Sequence, residues 1–351
     1  MRIRTYFSVF GGLLFLLFSL LPRLSWGQTT ILSLQSGPWN EPSTWSINAV
    51  PTIEDTVLIG IGHHIELPVD NENITVGRLF VSDSGAIYLN RANFTVLNTT
   101  IIRGDLIDTV RAGVNTFIGE ARVERNGRWI TPLSDTDKMI FEGGFTNRAD
   151  TLYIQDMYFR SNDQELGGSS QIRFTGNLLV GSGVTLQMTV SQGLHFSEGR
   201  PNGEDSSSTL INHRFLYFSG QNAPMETGVA DFDKEGTRVY YRGDVNQTVK
   251  GTTYATLRME IGPEKEGGNR TLEGPLQVNE YLLVDNKNVL RPGPHDVIVN
   301  GEFELQGDVI DDDSAGVIQT DLMTSFGGRF FGEAEPPLPL KVMGNFDAPR
   351  K

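Results

Sequence analysis

The sequence predicts an all-β protein, and specifically a right-handed parallel β-helix. Short pieces alternate apolar and polar residues with a period of two and are rich in Val, Ile, Leu, Phe, Tyr and Thr, which is the pattern of strands. Each piece ends at Gly, Asn, Asp or Ser, and stretches with the helical period are nearly absent. Three-piece segments of this kind recur about every 20 residues, as in solenoid repeats. The clearest are 74–89, 172–188, 276–290 and 297–310.

Two all-β architectures accommodate these pieces, and they differ in how the strands pair. In an antiparallel β-sandwich, consecutive pieces form hairpins within two packed sheets. In a parallel β-helix, each three-piece segment forms one coil, and the coils stack about 4.8 Å apart. The segments differ in length but keep three pieces, which favours coils with variable corners. The parallel β-helix is therefore the prediction, and the antiparallel β-sandwich is the alternative.

Segment 172–188 illustrates how one coil is expected to fold. Alternate side chains of a strand point to the same side, so four aliphatic residues are expected to stack on their equivalents in neighbouring coils. They are Leu178, Val180, Val184 and Leu186. Three glycines are expected at corners that require a positive φ angle, a conformation that β-branched residues adopt with strain. They are Gly176, Gly181 and Gly183.

The first 27 residues, 1–27, have the pattern of a secretory signal peptide. Arg2 and Arg4 precede an apolar run over 7–22, and small residues follow it,. The run is shorter than the ~20 apolar residues of a membrane-spanning helix, so no stable membrane span is expected after cleavage. An uncleaved membrane anchor is the alternative. The prediction is an exported protein.

The charge of the chain restricts its partners. The formal net charge is −14, and removal of the signal peptide takes away three arginines and no acid, which leaves −17. Nucleic acids and anionic membranes require a basic footprint, so neither is an expected partner. The sequence has no cysteine, which excludes disulfides, thiolate metal sites and cysteine nucleophiles.

Residues 28–55 are predicted to form an N-terminal cap, because the alternating pieces begin only at Thr56. An uncapped end of a stack exposes a strand edge to other chains. Trp39 and Trp45 are expected to lie over the first coil as large apolar lids. The β-helical repeats themselves are expected over 56–332.

The opening contains a recognisable order of residues: Ser-Gly-x-Trp-Asn, Thr-Trp, Val-Pro, Asp-x-Val, and a Gly-His strand that ends in Leu. In this chain they are Ser36, Gly37, Trp39, Asn40, Thr44, Trp45, Val50, Pro51, Asp55, Val57, Gly62, His63 and Leu67. This opening resembles a module of exported surface proteins of the Bacteroidetes, which is similar to the eight-glycine extracellular domain. The stretch from Gly236 to Leu290 resembles the β-solenoid repeats of the same proteins.

The resemblance implies a location and an export route. Such proteins usually leave the cell by type IX secretion, and they are secreted or held on the outer-membrane exterior of a Gram-negative bacterium. In them, a C-terminal sorting domain follows the repeats. The Pro-rich segment 333–351 of this chain is expected to be a stiff, extended linker that leads to such a C-terminal module.

Segment 195–209 interrupts the alternation and is expected to be the largest loop of the solenoid. Long excursions are where a solenoid builds a groove. Four charged residues in it are the binding candidates: Glu198, Arg200, Glu204 and Asp205. Two carboxylates that flank a glycosidic bond hydrolyse it, and a plain surface loop is the alternative.

Two groups of residues bear on metal binding. The acidic turn at 308–313 carries oxygen ligands of the kind that Ca²⁺ takes: those of Asp308, Asp311, Asp312 and Asp313. It lacks the EF-hand spacing, and a solvated turn is the alternative; no other cofactor is expected. His63 and His64 are expected on one strand, where neighbouring side chains point to opposite faces. They are therefore expected to be structural.

The sequence contains no Gly-x-Ser-x-Gly elbow, P-loop or HExxH motif,. The expected function is a non-enzymatic, exported β-solenoid that acts as a structural stalk or adhesin-like module. Its expected partner is an extracellular polysaccharide or another cell surface. The alternative is a β-helix protein that binds or degrades polysaccharide.

Overall fold

The computed structural model describes residues 29–69, 72–108, 113–131, 138–221, 224–262, 264, 266–311, 316–325, 327–332, 340–342 and 346–347. The described chain is almost entirely β and winds into a parallel β-helix of about 12 turns. Its strands pair in parallel, coil upon coil. The predicted β-helix is confirmed, and the antiparallel β-sandwich is wrong. The predicted signal peptide lies outside the described residues.

The strands lie on three faces, which we call the first, second and third face in chain order. The first face contains Thr30–Leu32, Thr56–Ile59, Arg78–Val81, Thr100–Ile102, Ala121–Val123, Phe145–Asn147, Gln164–Gly168, Thr185–Met188, Thr209–Asn212 and Val229–Asp231. The second face contains Gly37–Pro38, His64–Glu66, Ala86–Tyr88, Asp105–Ile107, Arg128–Ile130, Leu152–Ile154, Ile172–Phe174, Leu194–Phe196, Phe215–Phe218, Arg238–Arg242, Thr253–Glu260, Leu276–Val284, Val297–Leu305, Ile318–Ser325, Leu340–Val342 and Phe346–Asp347. The third face contains Asn73–Val76, Asn93–Val96, Val114–Phe117, Lys138–Phe141, Met157–Phe159, Leu178–Val180, Pro201–Gly203, Gln247–Val249, Asn269–Leu272, Val289–Arg291, Asp308–Asp311 and Arg329–Gly332. A short 3₁₀ helix spans Pro42–Thr44. Among the described residues, no helix has the length and apolar character needed to cross a membrane.

The cross-section of the solenoid changes along its axis. The separate sheet of the first face ends at Val229–Asp231. Phe232 then forms a parallel bridge with Tyr254, so the start of Thr253–Glu260 continues the first face. The rest of that strand pairs with Arg238–Arg242 of the second face, and a register shift within it marks the bend. From this coil onward, one long strand replaces two short ones.

The second face reverses its in-out phase after the strand Arg128–Ile130. Trp129 is buried at the centre of Arg128–Ile130, whereas Tyr153 is 61% exposed at the centre of Leu152–Ile154. A one-residue change of phase turns every side chain to the other side of a strand. The two strands do not pair, and a new sheet begins at Leu152–Ile154. From there the central residue of each short strand points outward.

The interior is one continuous column of apolar side chains from Ile31 to Met323. The four predicted interior residues of segment 172–188 are all buried: Leu178, Val180, Val184 and Leu186. Aromatic rings also stack inside the column, such as Phe141 and Phe159, whose centroids are 5.3 Å apart. Burial of apolar surface stabilises by roughly 25 cal/mol per Å², which supports the fold without disulfides.

Corner glycines allow the coils to stack closely. Gly183 has a φ angle of 69°, which confirms the predicted positive φ. The φ angles of Gly176 and Gly181 are not positive, so the prediction is wrong for these two glycines. A Cβ on Gly176 would lie 2.6 Å from the carbonyl oxygen of Gln155 in the preceding coil, and one on Gly199 would lie 1.7 Å from that of Gly176. At these corners the close approach of backbones, rather than φ, requires glycine.

The predicted cap segment, 28–55, contributes strands to the stack. Thr30–Leu32 pairs in parallel with Thr56–Ile59, and Gly37–Pro38 pairs with His64–Glu66. The solenoid therefore begins one partial coil before Thr56. This first coil has no strand on the third face, and the two tryptophans fill that side.

Candidate functional site

The two tryptophans of the opening form a closed apolar pair. Trp39 and Trp45 are 2% and 1% exposed, and their rings meet edge to face with centroids 4.9 Å apart. The Trp45 Nε1–H donates a 2.8 Å hydrogen bond to the carbonyl oxygen of Trp39. The Trp39 ring also contacts Phe94. Both indoles are thus used for packing at the end of the column.

His63 has a structural partner, although its predicted position is wrong. It lies in the turn before the strand His64–Glu66 rather than on that strand. Its Nδ1 is 2.8 Å from the hydroxyl of Ser33, which accepts a 2.8 Å hydrogen bond from the Gly60 N–H. This small network joins the partial coil to the first full coil. His64 is exposed beside Tyr88.

The predicted loop at 195–209 is wrong, because that segment forms a regular coil. The strand Leu194–Phe196 lies on the second face, Pro201–Gly203 on the third and Thr209–Asn212 on the first. The backbone N–H of Pro is missing, and Pro is therefore tolerated as the first residue of a strand. The segment stacks in parallel on Leu178–Val180 and continues the regular coils.

The four candidate residues of that segment have separate partners. The Glu204 carboxylate accepts hydrogen bonds from the Tyr158 hydroxyl and the Ser182 N–H, at 2.9 and 3.1 Å. Asp205 accepts from the hydroxyls of Ser182 and Ser207. These hydrogen bonds, first of all that of Ser182, lower the pKa of Asp205. Both carboxylates thus join two stacked corners.

The other two candidates precede the strand Pro201–Gly203, whereas Glu204 and Asp205 follow it. Arg200 forms an ion pair with Glu226 of the next coil, and Glu198 is exposed at the corner before it. The structure therefore brings Glu204 and Asp205 together around Ser182, and it assigns Arg200 a different partner.

The acidic turn is described only in part. The Asp308 carboxylate accepts two hydrogen bonds from the Arg329 guanidinium of the next coil, at 2.9 and 3.2 Å. Asp311 ends the strand Asp308–Asp311, and Asp312 and Asp313 lie outside the described residues. Within the described part of the chain, no three His, Asp or Glu residues are arranged to hold a metal ion. The Ca²⁺ site stays a prediction.

The second face carries a shallow cleft in its first coils. The cleft has a volume of about 600 Å³, and its walls include His64, Tyr88, Asp83 and the ion pair of Asp105 with Arg128. Ala86 occupies the register position between His64 and Asp105, and its small side chain leaves the space open. In the sequence these residues lie on four separate pieces, so only the stacking brings them together.

A longer arrangement of aromatic and charged side chains lies further along the second face. Six coils place one outward residue each in the same register; they are Tyr153, Arg173, His195, Tyr217, Tyr240 and Arg258. We call this set the aromatic–arginine column. With coils about 4.8 Å apart, it extends for about 24 Å. Sequence analysis missed it, because its members are about 20 residues apart in the chain.

The rings of the column stack face to face. The ring centroids of His195 and Tyr217 are 4.1 Å apart, and those of Tyr217 and Tyr240 are 4.5 Å apart. At one end of the column, the Arg173 guanidinium lies 5.9 Å from the Tyr153 ring centroid. At the other end, the Arg258 guanidinium lies 5.8 Å from the Tyr240 ring centroid. Neighbouring groups thus cover the ring faces of Tyr217 and Tyr240, and Tyr240 is buried.

The arginines near the column perturb its histidine. Burial, together with the charges of Arg173 and Arg242, lowers the pKa of His195 from 6.5 to about 4. His195 is therefore neutral at pH 7, and it stacks on Tyr217 as an uncharged ring.

This pKa shift predicts a pH-dependent contribution to stability. The folded state resists protonation of His195, whereas the unfolded chain takes up that proton near pH 6.5, so the contribution is present above pH 6.5 and is lost as the pH falls towards 4,. His195→Phe is therefore expected to become more stable relative to the wild type over this range. Urea unfolding of both proteins at both ends of the range measures the difference. An equal trend in the matched variant His64→Phe would contradict the assignment of this contribution to His195.

Comparison with protein-family models, with curated proteins and with solved structures finds no match to this chain. Its class is therefore defined by its own coordinates: a parallel β-helix with a closed N-terminal end and an aromatic–arginine column on one face.

Proposed function

We propose that this chain is a non-enzymatic, exported β-solenoid that acts as a rigid stalk or adhesin-like module on a bacterial surface. The observation that carries the proposal is the single apolar column from Ile31 to Met323. A stack in which each coil contacts only its neighbours and shares one core transmits force along its axis without a hinge. The signal-peptide pattern of residues 1–27 supports export.

The enzymatic alternative has weaker support. The two carboxylates among the binding candidates, Glu204 and Asp205, accept hydrogen bonds from serine and tyrosine side chains of neighbouring turns. Such contacts suit a structural role, because they hold the corners of two coils together. A general acid requires a raised pKa, and that of Asp205 is lowered.

Two experiments test the proposal. In cells that produce the full chain, an external protease should remove it from intact cells if it lies on the surface; protection until lysis would contradict the location. Beads coated with the purified protein should adhere to a polysaccharide-coated surface. The purified protein should release no reducing ends from soluble polysaccharide. Release of reducing ends that Glu204→Gln abolishes would favour the enzyme instead.

A further inference from the structure

We propose that the second face binds a linear anionic polysaccharide along the aromatic–arginine column, through its carboxylate or sulfate groups. This deepens the proposed function and rests on it, since an adhesin-like module requires a surface ligand. The argument starts from the charge on this face, which differs in sign from that of the whole chain.

Four arginines concentrate on the second face between the strands Ile172–Phe174 and Thr253–Glu260. They are Arg173, Arg238, Arg242 and Arg258. Two acidic groups lie near them: Glu260 pairs with Arg258 at 2.9 Å, and Glu280 accepts hydrogen bonds from the Gly236 N–H and the Thr256 hydroxyl. Within the described residues, Arg238 and Arg242 are exposed and have no carboxylate within 4 Å. In a chain of net charge −14, this is a local positive surface.

The arginines lie close enough to act on one ligand. Arg238 and Arg242 are on the same strand, and the Arg238 guanidinium lies 5.8 Å from the Phe215 ring centroid of the preceding coil. Arg173, two coils before Phe215, acts electrostatically on His195 together with Arg242. The positive groups thus span several consecutive coils beside the column.

The stacking of the column selects the kind of contact that a ligand can make. Neutral sugars and nucleic-acid bases bind aromatic residues through exposed ring faces. Here the faces of Tyr217 and Tyr240 are covered by stacked neighbours. Tyr240 is buried and Tyr217 is half-buried, so the groups that reach solvent most fully here are the guanidinium groups of Arg173, Arg238 and Arg242. A planar guanidinium binds carboxylate and sulfate oxygens with two parallel hydrogen bonds.

The repeat of the surface favours a polymer over a small anion. Equivalent side chains recur at every coil, about 4.8 Å apart, which is comparable to the length of one sugar unit in an extended chain. A straight polysaccharide can therefore place successive acidic groups on successive coils. A small anion would use one arginine only, and binding through several weak contacts gains from their linkage.

The test measures binding of the full chain to alginate, dextran sulfate, neutral dextran and single-stranded DNA by titration calorimetry. The double variant Arg238→Gln/Arg242→Gln removes the two unpaired arginines. We expect it to bind the preferred anionic glycan at least about tenfold more weakly, as for the loss of charge-assisted hydrogen bonds. We also expect weaker wild-type binding at about 200 mM than at about 50 mM salt.

A matched control separates a site from general charge. Arg91→Gln/Arg125→Gln removes two exposed arginines of earlier coils and is expected to leave binding unchanged. Thermal unfolding of both double variants establishes that each is folded. Alginate and dextran sulfate distinguish carboxylate from sulfate as the group that is recognised.

Several outcomes would overturn the proposal. They are equal losses in both double variants, equal binding of neutral dextran, equal binding of single-stranded DNA, or no binding of either anionic glycan. If the beads described above still adhere to a polysaccharide surface after any of these results, the adhesin function stands and only the assignment to this face fails.

Discussion

Arg270→Ala is expected to lower the free energy of unfolding by about 3–5 kcal/mol. The Arg270 side chain is fully buried inside the solenoid and donates to the carbonyl oxygens of Val245 and Gly243, at 2.7 and 2.8 Å, and of Glu260 at 3.3 Å. Each carbonyl left without a donor costs about 1–3 kcal/mol, and the cavity adds to this. Burial lowers the pKa of Arg270 to about 10, so it still donates as a cation at pH 7.

Urea unfolding of the variant, followed by circular dichroism, measures this loss. Arg270→Lys is expected to fall between the wild type and Arg270→Ala, because an ammonium group keeps the charge but lacks the planar fork. Arg125→Ala, at an exposed turn, is the matched control and is expected within about 0.5 kcal/mol of the wild type. A loss below about 1 kcal/mol in Arg270→Ala would mean that water replaces the guanidinium.

Arg270 belongs to a short interior series of polar side chains. In the coil before it, the Gln247 amide donates to the carbonyl oxygens of Phe218 and Gly220, and in the coil after it, the Asn288 amide donates to that of Met259. Corner carbonyls have no ladder partner, and a buried carbonyl must be paired. The series lies where the coils change from three strands to two. At these corners, polar side chains inside the solenoid pair with the backbone carbonyls.

The alternation of residues was sufficient to predict the strands but not the contents of the column. Arg270 and Leu272 share one side of the strand Asn269–Leu272, and both are buried. The period of two places Arg270 inside, whereas its charge argues for the outside. The sequence does not reveal the three carbonyls that resolve this conflict, because they come from other segments.

The prediction of a long loop at 195–209 was wrong for a related reason. Pro201, Gly199 and Gly203 look like loop residues in the sequence,. In the structure, Gly199 stacks on a neighbouring corner and Pro201 starts a three-residue strand. In so short a strand, two inward residues suffice, and Pro201 and Gly203 are the two that are buried. Composition therefore predicts turns well in this chain but overestimates their length.

The aromatic–arginine column shows what the alternation of residues cannot predict. Each of its residues lies at the centre of a short strand, and alternation alone predicts that Arg173 and His195 point outward together. Their alignment depends on the number of residues in every corner between them, which the sequence does not fix. The surface that carries the proposed binding site could thus be identified only from the stacking of the coils.

Trp45→Ala is expected to open the N-terminal end of the solenoid and to cost about 3–5 kcal/mol, as for a large buried aromatic side chain. The variant loses the edge-to-face contact with Trp39 and the hydrogen bond to its carbonyl oxygen. The backbone of Ser33 also pairs with that of Trp45, so the strand Thr30–Leu32 should loosen together with the lid. Because coils contact only their neighbours, the effect should decrease with distance from this end.

Amide hydrogen exchange of the full chain resolves this gradient. Amides of Thr56–Ile59 should lose protection in Trp45→Ala, while those of Leu276–Val284 keep it. Trp45→Phe, which retains an aromatic ring without the N–H donor, should lose less, and Ile61→Ala at a 75% exposed side chain is the matched control. The uncovered strand edge should also pair with other copies, seen as concentration-dependent association. If Trp45→Ala changes the protection of Thr56–Ile59 and Leu276–Val284 equally, the two tryptophans do not close the stack.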